Sequence, residues 1–214
     1  MDLEVLAAQL RKPEGETGKQ IGEVMNNGNR LINEWTIQTL DLQNGDTILE
    51  MGMGNGYFVK NFLTSKESLI YYGLDYSEMM IEEAIKLNQQ FVEIKQAIFT
   101  LGLASNMPFE EDFFSKIFTI NTIYFWDNAE NELKEIRRVL KPGGTFVVAV
   151  RSKQTMEQMP FTKFGFEKYD GQKLVYLLEN QGFVIKAVQN KKEPTYDFNG
   201  HAMQLENIIV SCTK

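Results

Sequence analysis

Hydrophobic positions along the chain follow two patterns, and together they predict an α/β protein. Apolar runs without alternation are typical of strands that are buried on both faces of a parallel sheet. Such runs occur at 47–51, 69–75, 96–101, 116–121 and 145–150. Stretches with a period near 3.6 lie between and after them and predict helices, among them 57–66 and 170–181. Strands that alternate with helices predict a parallel, doubly wound sheet.

The first 45 residues carry helical patterns and no strand. Residues 1–12 predict a short helix, and a longer apolar stripe runs from Ile21 to Leu40. The turn signal Gln43-Asn44-Gly45-Asp46 ends this stripe. We therefore predict a helical N-terminal cap over 1–45 and one compact domain over 46–214.

Two further strand patterns lie at 182–188 and 206–212. The linker between them is too short for a crossover helix plus a strand, so we expect the two strands to pair as an antiparallel hairpin. The single cysteine, Cys212, falls on the second pattern and is expected to be a small buried side chain.

A glycine loop follows the first strand, with Gly52, Gly54 and Gly56 at every second position. Glycine lets the backbone turn tightly and lets a ligand approach the main chain. A dinucleotide-binding loop would have its third glycine where this chain has Tyr57. The loop therefore predicts a cofactor without deciding which one.

A carboxylate, Asp75, ends the second strand 23 residues after Gly52. This is the place where an acidic residue meets ribose hydroxyls in strand–loop–helix–strand units. Ser77 is the better cap for the following helix, which leaves Asp75 free for a ligand. Further on, Asp127 with Glu130 three residues later predicts a capping box for another helix.

Four motifs together resemble the class I S-adenosylmethionine-dependent methyltransferases, nearest the ubiquinone/menaquinone-biosynthesis methyltransferase-like branch. The motifs lie at 50–56, 74–77, 106–109 and 140–144. The resemblance implies a three-layer Rossmann-like methyltransferase fold, with a seven-stranded, mostly parallel sheet, an antiparallel last strand and an N-terminal helical cap. It also implies S-adenosylmethionine as the cofactor.

The resemblance further implies which residues bind this cofactor. Glu50 would orient the loop and the cofactor's amino end, and Asp75 would take the two ribose hydroxyls. Similar proteins often have Gly-Asp-Ala after the third strand, where this chain has Gly102-Leu103-Ala104, so adenine recognition would rest on backbone groups or Ser105. The implied cofactor-binding residues are Glu50, Gly52, Gly54, Gly56, Asp75, Tyr76, Ala104, Ser105 and Asn121.

The catalytic residues are unknown from the sequence, since methyl transfer needs a base only where the acceptor must lose a proton. Tyr124, after the fourth strand, is a candidate to line the acceptor site. His201, the sole histidine, is a candidate base or a loop residue. The apolar segment 156–166 either walls the acceptor or packs on the N-terminal cap. Arg11, Lys12 and the loop to Gly18 either fold over the cofactor as a lid or belong to a helical cap at the sheet edge.

The composition narrows the class of acceptor. A net charge of −7 argues against nonspecific binding to phosphate backbones, and Asn121-Thr122-Ile123-Tyr124 lacks the prolines of the DNA amino-methyltransferases. We expect a small, partly hydrophobic methyl acceptor and in-line transfer, with no nucleic acid, metal or membrane span. The start of the chain lacks a secretory signal, so a cytoplasmic location is expected. A non-catalytic cofactor-binding or interaction protein and a nicotinamide-dependent oxidoreductase stay open as alternatives.

Overall fold

The computed structural model describes residues 1–198 and 201–214, with only the backbone described for 196–198 and 201. Strands β1 to β9 span Thr47–Met51, Ile70–Asp75, Ala97–Leu101, Phe114–Ile120, Leu140–Arg151, Val184–Lys192, Tyr196–Phe198, His201–Met203 and Glu206–Thr213. Helices α1 to α9 span Leu3–Arg11, Gly15–Gly28, Arg30–Leu40, Val59–Leu63, Glu78–Leu87, Gln89–Glu93, Ala129–Val139, Lys153–Glu157 and Gly171–Asn180. Short 3₁₀ helices occupy Ile123–Phe125 and Pro160–Lys163.

The main sheet has seven strands in the order β3-β2-β1-β4-β5-β9-β6. Strands β1 to β5 pair in parallel, and β9 lies antiparallel to both of its neighbours, β5 and β6. The predicted α/β class, the mostly parallel sheet, the antiparallel last strand and the β6–β9 pairing are therefore confirmed. Strands β7 and β8 form a separate two-stranded sheet that the sequence analysis did not predict.

Helices cover both faces of the sheet and so produce three layers. On one face, α3 and α4 contribute residues such as Ile32 and Phe62 to a cluster with Phe118 of β4. On the other face, α7 and α9 contribute residues such as Ile136 and Leu174. This burial on both faces explains why the strands have continuous apolar runs. Within the described part of the chain, no helix combines the length and the apolar character that crossing a bilayer requires.

The apolar stripe from Ile21 to Leu40 is divided between two helices, where the sequence suggested one. Helix α2 ends at Gly28, and α3 begins at Arg30 after Asn29, which has a non-helical φ of −99° and ψ of 5°. The Gly28 carbonyl accepts a hydrogen bond of 2.6 Å from Arg151 Nη2, which favours the break. The division into a cap at 1–45 and a domain at 46–214 stays a prediction.

The predicted capping box at Asp127 is wrong by one residue. Helix α7 begins at Ala129, and its N-cap is Asn128, whose side-chain oxygen accepts from the amides of Glu130 and Asn131. Asp127 pairs instead with Arg11 of α1 at 2.7 Å. The carboxylate that the sequence analysis assigned to the cap of α7 therefore takes part in a tertiary ion pair instead.

Candidate functional site

A cavity of about 340 Å³ lies where β1 to β4 end. This is the edge of an open α/β sheet at which ligands bind, and the volume lies within the roughly 300–1,000 Å³ of small-molecule sites. Eight of the nine predicted cofactor residues line it, and Gly56 is the exception. The eight are Glu50, Gly52, Gly54, Asp75, Tyr76, Ala104, Ser105 and Asn121.

The glycine loop needs glycine for two different reasons. All three residues have a left-handed φ, of +70° at Gly52, +57° at Gly54 and +67° at Gly56. A Cβ at Gly52 would lie 2.2 Å from Thr122 Cγ2, so the loop packs directly on the chain after β4. A Cβ at Gly54 would meet no atom of the described residues within 4 Å. Gly52 thus serves packing, whereas Gly54 leaves open space beside the cavity.

Asp75 organises the junction between β2 and the glycine loop. Its carboxylate oxygens accept hydrogen bonds from the amides of Gly54 at 3.1 Å and Ser77 at 2.9 Å. Burial raises the pKa of Asp75 to about 6, and the backbone hydrogen bonds oppose this shift. Ser77 caps α5 as predicted. Each carboxylate oxygen has a second lone pair for a ligand hydroxyl.

Glu50 is buried at the floor of the cavity, only 6% exposed. The Tyr71 hydroxyl donates a hydrogen bond to Glu50 Oε2. Burial raises the pKa of Glu50 to about 7; the Tyr71 hydrogen bond opposes this shift and the charge of Asp75 adds to it. Tyr71 was missed by the sequence analysis, because in an apolar strand its hydroxyl gave no signal of a partner.

These two raised pKa values predict that stability falls as pH rises. Between pH 4.5 and 7 the folded chain keeps protons on Glu50 and Asp75 that the unfolded chain loses, which favours the folded state at low pH. Without ligand, the protein should melt at a lower temperature at pH 8 than at pH 5.5, as measured by calorimetry. Glu50→Gln should reduce this difference, while exposed Glu67→Gln should leave it unchanged; an equal difference in all three proteins would contradict the prediction.

The end of α1 and the following turn lie over the ends of β2 and β4. The Tyr76 hydroxyl donates to the Arg11 carbonyl, and the Ser77 hydroxyl donates to the Pro13 carbonyl at 2.9 Å. The Arg11 guanidinium also pairs with Asp127. Arg11 and Pro13 line the cavity. These contacts are consistent with the lid hypothesis. That this segment covers a bound ligand stays a prediction.

Removing the Arg11–Asp127 pair should therefore affect ligand exchange more than folding. An exposed ion pair contributes only about 0–1 kcal/mol, so Arg11→Ala should lower Tm by less than about 3 °C. S-adenosylhomocysteine should dissociate about threefold to tenfold faster, measured by stopped-flow fluorescence. Arg30→Ala, which removes the Arg30–Glu34 surface pair, is the matched control. Equal dissociation rates in both variants would contradict the lid hypothesis.

Asn121 connects the end of β4 to three other elements. It has a φ of +57°, and its Oδ1 accepts from Tyr124 at 2.9 Å and from the Arg151 amide at 3.1 Å. Its Nδ2 donates to Asn29 Oδ1 at 3.1 Å. The side chain is thus held by the protein on both sides, which fixes this wall of the cavity.

Tyr124, one of the two catalytic candidates, is not among the residues that line the cavity. Tyr124 is buried behind Asn121, and burial raises the pKa of its hydroxyl well above the ordinary value. The backbone of His201 belongs to β8, but its side chain lies outside the described part of the chain. Catalytic roles for both residues stay predictions.

The apolar segment 156–166 packs on α1 and does not line the cavity. The 3₁₀ helix Pro160–Lys163 contacts α1, and Phe166 packs against Phe125 with ring centroids 4.6 Å apart. The structure describes all of this segment, and none of its residues lines the cavity. Of the two interpretations, packing on the cap is favoured.

Several polar residues that the sequence analysis did not select also line the cavity, among them Asn29, Asn33 and Glu132. Asn33 and Glu132 are 3% and 7% exposed and occupy inward positions of α3 and α7. A polar residue at an inward position of an apolar helical stripe is the one local signal that could have identified them.

Comparison with known proteins identifies the family. The sequence profile described as "Methyltransferase domain" matches residues 49–148. The uncharacterized methyltransferase YdaC of Bacillus subtilis is 31% identical over 133 residues, which are 62% of this chain and 71% of that protein. The chain belongs to the class I S-adenosylmethionine-dependent methyltransferases. The family resemblance stated from the motifs is thereby confirmed, and the cofactor of this methyltransferase is S-adenosylmethionine.

Further matches agree with this assignment. The ubiquinone/menaquinone biosynthesis C-methyltransferase UbiE of Neisseria meningitidis is 27% identical over 137 residues, 62% of this chain and 54% of that protein. A chain from the complex between the Trm112 methyltransferase activator of Haloferax volcanii and a methyltransferase gives a TM-score of 0.74 at 17% identity, covering 99% and 97% of the two chains. An S-adenosylmethionine-dependent methyltransferase of Aquifex aeolicus gives 0.69 at 18% identity, covering 89% and 96%. At these identities the two structures show the fold.

Proposed function

We propose that this methyltransferase binds S-adenosylmethionine in the cavity at the ends of β1 to β4 and transfers the methyl group in line to a small, partly hydrophobic acceptor. The proposal rests on one observation: two buried carboxylates, Glu50 and Asp75, line the same cavity as Gly54, beside which space is open. Carboxylates suit the ammonium and ribose hydroxyls of the cofactor, and an open glycine lets the cofactor approach the backbone.

Each of these residues has a distinct role in the proposal. Asp75, held by the amides of Gly54 and Ser77, accepts hydrogen bonds from the two ribose hydroxyls. Glu50, held by Tyr71, binds the ammonium group, which favours its ionised form. Because Leu103 stands where similar proteins often have an acid, backbone groups and Ser105 recognise the adenine in this proposal.

The bound cofactor supplies a methyl group that the sulfonium already activates. The chain's own contribution is therefore alignment and exclusion of water. Arg11 and Pro13 line the cavity on the α1 side, and Phe125 and Trp126 supply apolar lining after β4. A cavity of about 340 Å³ with aromatic lining supports a small acceptor.

Titration calorimetry with S-adenosylhomocysteine, followed by a screen with labelled S-adenosylmethionine, tests the proposal. We expect heat from S-adenosylhomocysteine and none from NADH, and label should pass to a small phenol, amine, thiol or carbon acid. Heat from NADH alone would favour the oxidoreductase alternative. Binding without transfer to any compound would favour a non-catalytic binding protein.

A further inference from the structure

Two residues that line the cavity each carry a buried hydrogen-bond acceptor for which the described part of the chain offers no partner. The acceptor atoms are Glu132 Oε2 and Asn33 Oδ1, and both belong to residues that are more than nine-tenths buried. The orientation of the Asn33 amide is fixed because its Nδ2 donates to the Asn29 carbonyl at 2.9 Å. A buried polar atom without a partner is unfavourable, so its presence calls for an explanation, and a catalytic role is one.

Both residues lie on helices and are not among the predicted cofactor residues. Asp75, Tyr76 and Ser105 follow β2 and β3, on one side of β1. Glu132 lies on α7, which follows β4, and the charged or titratable groups that face it are Asp127 and Tyr169. Asn33 lies on α3 beside Asn29, which is bonded to Asn121 at the end of β4.

The two residues approach the cavity from opposite faces of the sheet. Helix α3 packs with the cluster that contains Ile32, and α7 packs with the cluster that contains Leu133. A molecule between them would contact both residues. The Arg11 guanidinium, which also lines the cavity, is paired with Asp127, so it does not neutralise Glu132.

Resting on the proposed function, we propose that Glu132 is the proton acceptor of the methyl transfer, and that the methyl acceptor reacts through a nitrogen or oxygen that carries a hydrogen. The lone pair of that atom forms the bond to the methyl carbon, the carbon–sulfur bond breaks, and its electron pair stays on sulfur. The proton moves to the Glu132 carboxylate. Asn33 contacts the same molecule from the opposite side.

The environment of Glu132 suits a base. Burial raises the pKa of its carboxyl, and the nearby charge of Asp127 adds to the shift. A carboxylate with a raised pKa holds a proton more strongly, and a general base contributes about 10²–10⁴-fold to rate.

Acceptor preference and the Glu132→Gln variant together test the inference. Benzylamine, benzyl alcohol and phenol carry the required hydrogen, while N,N-dimethylbenzylamine, thioanisole and pyridine lack it. We expect transfer to at least one of the first three and to none of the others at a comparable rate. Glu132→Gln should lower kcat about 10²–10⁴-fold and change the Kd of S-adenosylhomocysteine less than threefold. Glu130→Gln, exposed in the first turn of the same helix, should change neither.

Several results would overturn the inference. One is the absence of transfer to benzylamine, benzyl alcohol and phenol, and another is equal transfer to the three compounds that lack the hydrogen. A third is a kcat of Glu132→Gln that exceeds a tenth of the wild-type value. A fall of more than 5 °C in the Tm of that variant would show a structural role and would also count against it. If S-adenosylhomocysteine does not bind the wild type, the proposed function is wrong. If it binds but the acceptor preference differs from the expected one, only the inference about Glu132 is wrong.

Added formate provides an independent measurement. Glu132→Ala leaves space where a small carboxylate can replace the missing base, so formate should raise its rate at least tenfold and leave Glu130→Ala unchanged. Failure of formate to raise the rate of a folded Glu132→Ala protein would overturn the role of Glu132.

Discussion

Gly52→Ala should give a protein that melts roughly 5–15 °C below the wild type and binds S-adenosylhomocysteine at least 100-fold more weakly. The new Cβ would lie 2.2 Å from Thr122 Cγ2, in a backbone with a φ of +70°. The left-handed conformation costs about 1–2 kcal/mol for a non-glycine residue. Overpacking costs about 1–3 kcal/mol more, and each kcal/mol lowers Tm by roughly 2–4 °C in a chain of this size.

Gly54→Ala is the matched control, because it adds the same methyl group at another left-handed residue of the same loop. No atom in the described part of the chain lies within 4 Å of its Cβ, so only the conformational cost of about 1–2 kcal/mol applies. We expect a smaller fall in Tm, with binding weakened if the new methyl group enters the cofactor's space. Equal melting temperatures for the two variants, by calorimetry, would contradict the packing role of Gly52.

Asp75→Asn should weaken S-adenosylhomocysteine binding by about 10²–10⁴-fold, measured by titration calorimetry. Hydrogen bonds to a charged group contribute about 1.5–3 kcal/mol each, and the ribose is expected to make two. The amide group would also place a donor against the amides of Gly54 or Ser77, which now donate to the carboxylate. Both effects act against binding.

Glu78→Gln separates this effect from a general loss of negative charge. Glu78 lies in the first turn of α5, three residues beyond Asp75, and is exposed. Its variant should bind the ligand within about twofold of the wild type, because an exposed carboxylate contributes little. A Kd for Asp75→Asn close to that of Glu78→Gln would remove Asp75 from the proposed cofactor site.

The strands were predictable because burial on both faces gives continuous apolar runs. The first was predicted at 47–51 and spans Thr47–Met51. The fifth begins earlier than predicted, at Leu140. Leu140 pairs with Phe114 and Thr145 with Lys116, so the residues between are accommodated by a register shift that no local pattern indicates.

The site was predictable only where it follows strand ends. The residues from Glu50 to Gly54 and Asp75 belong to local motifs at β1 and β2, and the cavity contains them. Asn33 and Glu132 reach the same cavity from helices that are distant in sequence, so their proximity depends on tertiary packing. The ion pair of Arg11 with Asp127 has the same origin, and for that reason the cap of α7 was mispredicted.

The position of β9 has a consequence for synthesis on the ribosome. This strand, the last of the nine to be translated, is inserted between β5 and β6 and is almost completely buried from Asn207 to Cys212. Until it emerges, the nascent chain has two open strand edges facing an empty position in the sheet. The native sheet can therefore be completed only after the preceding strands have been made. Until then, the incomplete sheet depends on protection from aggregation.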